Sequence, residues 1–144
     1  ERGWRRAMAE AGISISIEYA QMSELSFEGG QLAMERLIEL KKPPTSVCCV
    51  SDVVAIGAMK TIRKMGWVPG SEISIIGYDG LELGAWLEPA LSTMEQSVKS
   101  AGSRLAEMLI QTVDKKSLGF NQQELFQASF VERGTSNPPQ RLAV

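Results

Sequence analysis

The 144-residue sequence has no histidine, only two cysteines, and no apolar run near the roughly 18 residues that cross a bilayer. Without histidine there is no His-based catalytic triad, no imidazole metal ligand and no histidine pH switch. Cys48 and Cys49 are adjacent in a segment read as a strand, so their side chains leave opposite faces. They suit neither a metal site nor a mutual disulfide, and are read as two small buried apolar residues, as in a reducing compartment. Charge of one sign is also lacking. Lys and Arg number 15 against 17 Asp and Glu, a net charge of −2, so no basic footprint for nucleic acid exists here. The opening ERGWRR is charged and lacks the apolar core of a signal peptide. It also lacks an initiating Met, and further sequence is expected before Glu1. There is no Gly-rich phosphate loop and no nucleophile elbow, so no catalytic residue, metal or cofactor is assigned.

What the chain does contain is alternation between helical and strand periods. An apolar fraction of 44% and a charged fraction of 22% are ordinary for a globular chain. Trp4, Ala7, Met8 and Ala11 recur at helical spacing and Gly12 stops the helix. ISISIEYA, Ile13 to Ala20, alternates with period two and is β-branched, so a strand is expected. Ser26 is placed to cap a helix with Ala33, Met34, Leu37 and Ile38 on its apolar face, closed by Lys41-Lys42-Pro43-Pro44. SVCCV, Ser46 to Val50, reads as a strand buried on both faces. Ser51 or Asp52 caps a helix carrying Ala55, Ala58, Met59 and Ile62, with Gly66 just past its end. EISIIGY, Glu72 to Tyr78, is another buried strand. A short irregular helix, a proline break and an extended segment are expected over 81–96. An amphipathic helix is expected over 97–116, with Val98, Ala101, Leu105, Leu109 and Val113 in a stripe. One or two short strands fall in 125–134, then a frayed tail from Thr135. The fold class is α/β, a parallel sheet flanked by helices.

In open parallel sheets ligands bind beyond the carboxyl ends of the strands. Ser51-Asp52 and Asp79-Gly80 both follow such ends. A carboxylate there accepts hydrogen bonds from neighbouring hydroxyls, which suits a polyhydroxylated ligand such as a sugar. Two plainer readings stand beside this one: Ser51 and Asp52 as helix caps, and Asp79 as a turn residue before Gly80.

Five pieces, GWRRAM, SFEGGQLAM, the long run SDVVAIGAMKTIRKMGWVPGSEISIIGYDG, EPALSTMEQ and FVERGTS, then carry a resemblance. In order and spacing they resemble the C-terminal part of a LacI/GalR-type transcriptional regulator. Its effector domain shares the two-lobed fold of periplasmic sugar-binding proteins. The resemblance implies an incomplete C-terminal lobe. Residues 1–95 would belong to that lobe, without its first strand–helix–strand. Residues 96–122 would be a crossover and a helix of the N-terminal lobe, and 123–144 would return to the C-terminal lobe and end in a tail. A DNA-binding headpiece would lie outside this chain.

Site residues follow from the same resemblance. Asp79 matches an acidic residue that binds sugar hydroxyls, and Gln96 a crossover glutamine that reaches the ligand in the periplasmic relatives. Ser51 stands where sugar binders often have Asn, and Leu25 where many members have an aromatic ring. An Arg of the family would fall one residue before Glu1. Val53, Ile56, Met59, Lys60 and Trp86 match a dimer surface, with core packing the competing reading for Met59. The implied partners are a small-molecule effector, a second copy, and operator DNA through the headpiece; no membrane is implied, and the location is cytoplasmic. Detached from its lobe, the stripe on the 97–116 helix is expected to drive association. A periplasmic sugar-binding protein is the alternative. An α/β enzyme is a distant third, since an Asp79–Ser51 pair alone is thin material for catalysis.

Overall fold

A computed structural model of the chain describes residues 1–113 and 123–138. Along the sequence run α1 (Arg2–Glu10), a 3-10 turn (Ile17–Tyr19), α2 (Phe27–Ile38), β1 (Ser46–Cys48), α3 (Asp52–Lys64), β2 (Ser74–Asp79), α4 (Glu82–Ala85), β3 (Ser92–Glu95), α5 (Val98–Val113) and β4 (Ser129–Val131). The sheet has the order β1-β2-β3-β4. The first three strands are parallel, with Cys48 beside Ile76 and Asp79 beside Glu95, and β4 closes antiparallel with Met94 beside Phe130. The α/β class and its parallel, helix-flanked sheet are therefore as the alternating periods predict.

Local signals place the helix ends. Gly12 (φ +70°) follows α1, and Gly66 (φ +77°) follows α3, each taking the left-handed conformation that ends a helix. Ser26 Oγ accepts from the Gly29 amide at 2.9 Å to cap α2. Ser51, rather than Asp52, caps α3, its Oγ accepting from the Val53 amide at 3.1 Å. Helices α2 and α3 run the same way: Thr61 donates to the Gln31 carbonyl at 3.2 Å, and Lys64 pairs with Glu35 at 3.7 Å one turn on. Their backbones touch because Gly30 faces the Val54 carbonyl and Gly57 the Phe27 carbonyl, leaving no room for a Cβ at either. Met34 and Leu37 of α2 join Ala55, Ala58, Met59 and Ile62 of α3 over Ile73, Ile75 and Leu91 to make the core.

Four expectations are corrected. Ile13–Ala20 forms no strand: it is irregular up to a 3-10 turn, with Ile13 and Ile17 exposed. Period-two alternation makes a strand only when a neighbouring strand takes up its backbone groups, and β1 stands at the sheet edge without pairing to it. For the same reason SVCCV is not buried on both faces. Its strand has Val47 half-buried between the exposed Ser46 and Cys48, Cys49 is half-buried beyond it, and Val50 is exposed. The tail is not frayed where it is described. Thr135 is fully buried, its Oγ1 accepting from the Ser92 amide at 2.9 Å and donating to the Ile75 carbonyl at 2.8 Å. Asn137 continues the docking, its Nδ2 donating to the Gly70 carbonyl at 2.9 Å. Finally, Met59 is fully buried in the core, so it is not available to a second chain.

Helix α5 has no buried residue: Val98, Leu105, Leu109 and Val113 of the stripe are all exposed. The end of the expected 97–116 helix, the rest of the segment through 122 and the tail from 139 lie outside the described residues. No helix of the described residues is long and apolar enough to cross a membrane.

Candidate functional site

The three parallel strands deliver three polar residues to one end of the sheet. Ser51 follows β1, Asp79 ends β2 and Gln96 follows β3. Since β1, β2 and β3 are neighbours in that order, the three stand side by side at the carboxyl ends. Leu25, just before the α2 cap, is brought to the same end because α2 runs parallel to α3. It is 71% exposed and presents an aliphatic surface with no ring to stack on a ligand.

Asp79 is the one residue other than glycine with positive φ among the described residues, at +114°. That conformation is rare for a residue with a Cβ and costs on the order of 1–3 kcal/mol. The neighbouring Gly80, at φ +80°, continues the turn. Gln96 Nε2 donates to Asp79 Oδ1 at 2.9 Å, so the carboxylate and the glutamine form one unit. Among the described residues no hydrogen bond engages the other oxygen of Asp79. Ser51 is nearly buried and its oxygen already accepts from the Val53 amide, leaving its hydroxyl proton to donate.

Asp52 proves to be neither cap nor exposed ligand group. Its side chain is fully buried, with Oδ1 accepting from Thr93 Oγ1 at 2.6 Å and Oδ2 from the Leu81 amide at 2.6 Å. It thereby ties the start of α3 to β3 and to the turn after Asp79. Gly77 makes the arrangement possible, since a Cβ there would collide with the Asp52 carboxylate. The hint in the sequence was Gly77 itself, a glycine inside a strand, which marks close approach by another group.

On the dimer surface implied by the resemblance, Val53 and Ile56 are half-buried and Lys60 is exposed. Trp86 is 80% exposed, with Leu81 and Leu83 exposed on the same segment. Arg63 Nη2 donates to the Glu88 carbonyl at 2.6 Å, which fastens the end of α3 to the loop that carries Trp86. Burial pushes the Cys49 thiol up to about 12, with Cys48 and Asp52 adding to the shift. No group of three or more His, Cys, Asp or Glu side chains among the described residues could hold a metal ion.

A family model for the periplasmic binding protein-like domain matches residues 1–136. The ribose operon repressor of Haemophilus influenzae is 36% identical over 112 residues, 78% of this chain and 34% of its own length. The transcriptional repressor CytR of Escherichia coli is 30% identical over 135 residues, 94% of this chain and 39% of its own. The chain thus spans between a third and two-fifths of these curated relatives. Among solved structures, a LacI-family regulatory protein from Chloroflexus aggregans superposes with a TM-score of 0.86 at 30% identity, covering 94% of this chain and 48% of that one. The dimeric Lac repressor with an 11-residue C-terminal deletion gives 0.87 at 27% identity, covering 96% and 50%.

Proposed function

The chain belongs to the LacI/GalR-type regulators, through their periplasmic binding protein-like domain, and from that membership we propose that it is the C-terminal part of an effector-binding domain controlling a transcription factor. The observation that carries the reading is the row of Ser51, Asp79 and Gln96 at the carboxyl ends of three adjacent parallel strands, with the Asp79 carboxylate held by Gln96. The free oxygen of Asp79 accepts from ligand hydroxyls, Ser51 donates one hydrogen bond, and Leu25 supplies an apolar wall. A sugar or sugar derivative fits that set. The similarity to a ribose operon repressor points to pentoses as the first compounds to try.

In this reading residues 1–95 and 123–144 belong to one lobe and 96–122 to the other. The uncovered apolar stripe of α5 supports the division, because a helix with no buried residue among its own neighbours requires another surface to pack on. Ligand between the lobes favours the closed arrangement only by binding it more tightly than the open one. Across a two-fold dimer through α3 and the Trp86 segment, closure reorients DNA-binding headpieces on an operator with matching symmetry. Such a protein works in the cytoplasm. A transport-associated binding protein shares the fold, but the curated relatives named above are repressors.

The test is a thermal-shift screen of the complete protein against pentoses, hexoses, sugar acids, phosphosugars and nucleosides, with Asp79→Ala alongside. Ligand at about a hundred times its Kd adds about 2.7 kcal/mol of apparent stability. A class that shifts the wild type and leaves Asp79→Ala unmoved is the expected result. A class that shifts both equally places the ligand away from Asp79 and sinks the reading.

A further inference from the structure

Asp52 is a buried ionisable group to which the ligand reading gives no role. It is fully buried, with no surface of its own open to a ligand. Its two oxygens are engaged from opposite sides, by Thr93 in β3 and by the amide of Leu81. Leu81 stands two residues after Asp79. The two consecutive left-handed residues of the turn, Asp79 at φ +114° and Gly80 at +80°, lead directly into it.

A residue with a Cβ keeps such a conformation only when its surroundings over-determine it. On one side of Asp79 the surroundings are Gln96, which holds the carboxylate. On the other side they are the Leu81 amide, drawn inward onto Asp52. A buried carboxylate accepting two hydrogen bonds is a strong and directional anchor. The anchor is itself rigid, because Thr93 pairs with Gly77 in the parallel register and Gly77 admits the carboxylate against the strand.

We propose that Asp52 is a positioning residue of the ligand site: by pinning the Leu81 amide it sets the left-handed turn that aims the Asp79 carboxylate beyond the strand ends. The inference rests on the reading of Asp79 as a ligand contact. It also assigns Asp52 a second connection. The residue opens α3, whose Lys60 faces outward, and Leu81 opens α4 on the way to Trp86. One carboxylate therefore joins the ligand turn to both parts of the surface assigned to the dimer.

The test needs no ligand. Hydrogen exchange, read by mass spectrometry on the complete protein, compares wild type with Asp52→Ala, Asp52→Asn and Thr93→Val. The expected result is exchange across residues 80–85 accelerated about tenfold or more in Asp52→Ala, with α2 unchanged. Asp52→Asn is expected to restore protection, since its carbonyl oxygen accepts from the Leu81 amide while its amide donates to Thr93 Oγ1. Thr93→Val, which frees one side of the carboxylate, is expected to accelerate the same stretch by less. It carries the test alone if Asp52→Ala does not fold. Acceleration spread evenly over the molecule, or none at 80–85, overturns the proposal and leaves Asp52 a fold-stabilising group. Failure of the ligand reading is a separate event: Asp79→Ala then fails to alter ligand-induced stabilisation, whatever exchange at 80–85 shows.

Discussion

The carboxylate of Asp52 fills the space in front of Gly77 that any Cβ would occupy. The two residues are complementary, one supplying the buried carboxyl group and the other the absence of a side chain. Gly77→Ala must displace the carboxylate from the Thr93 hydroxyl and the Leu81 amide, or push β2 away from α3. A loss of about 3 kcal/mol is expected, well beyond the usual small effect of adding a methyl group within a strand. Urea unfolding of the two proteins measures it, and a loss below about 1 kcal/mol would show that the clamp relaxes freely.

Thr135 is expected to matter as much as a core residue. Its hydroxyl joins the Ser92 amide to the Ile75 carbonyl across the sheet. Thr135→Val keeps the shape and leaves two buried backbone groups unpaired, for a loss of about 2–4 kcal/mol. Thr135→Ser retains both bonds and is expected to recover most of it. Equal melting temperatures for the Val and Ser variants would contradict this.

Trp86 bears on the proposed second copy. A tryptophan 80% exposed beside exposed Leu81 and Leu83 is costly to leave in water. Trp86→Glu is expected to raise the dimer Kd at least about tenfold in sedimentation. An unchanged Kd would move the interface elsewhere.

Cys49 gives a prediction in pH. Its thiol is pushed up to about 12 from an ordinary 9.0, so the folded state holds the proton where the unfolded chain releases it. The stabilisation is complete below the ordinary value and is lost as pH rises from about 9 towards 12. The urea midpoint should fall between pH 8 and pH 10.5, and fall less in Cys49→Ala. At pH 8 alkylation of Cys49 in the folded protein should run about a thousandfold slower than in urea, because the thiolate is the reacting species.

The sequence by itself determined what depends on near neighbours. Ser26 and Ser51 cap their helices, Gly12 and Gly66 end theirs, and the apolar faces of α2 and α3 are where helical spacing puts them. A cap or a helical stripe is satisfied within about four residues, so a short window contains its physics. Ser51 and Asp79 were legible as candidates for a related reason, since each follows a segment that reads as extended, whereas Gln96 came forward only through the family resemblance. The tertiary structure decided everything that needed a distant partner. Ile13–Ala20 has the pattern of a strand and no strand beside it. Cys48 and Val50 are apolar in the sequence and exposed in space, because a strand's burial depends on what lies beside and over it rather than on its own composition. Met59 turned to the core, and Thr135 closed a contact 60 residues away in sequence. Asp52 shows the difference most fully. In the sequence it is a helix cap or an exposed carboxylate. Only the meeting of α3, Gly77, Thr93 and Leu81 makes it the buried anchor of the turn that carries Asp79.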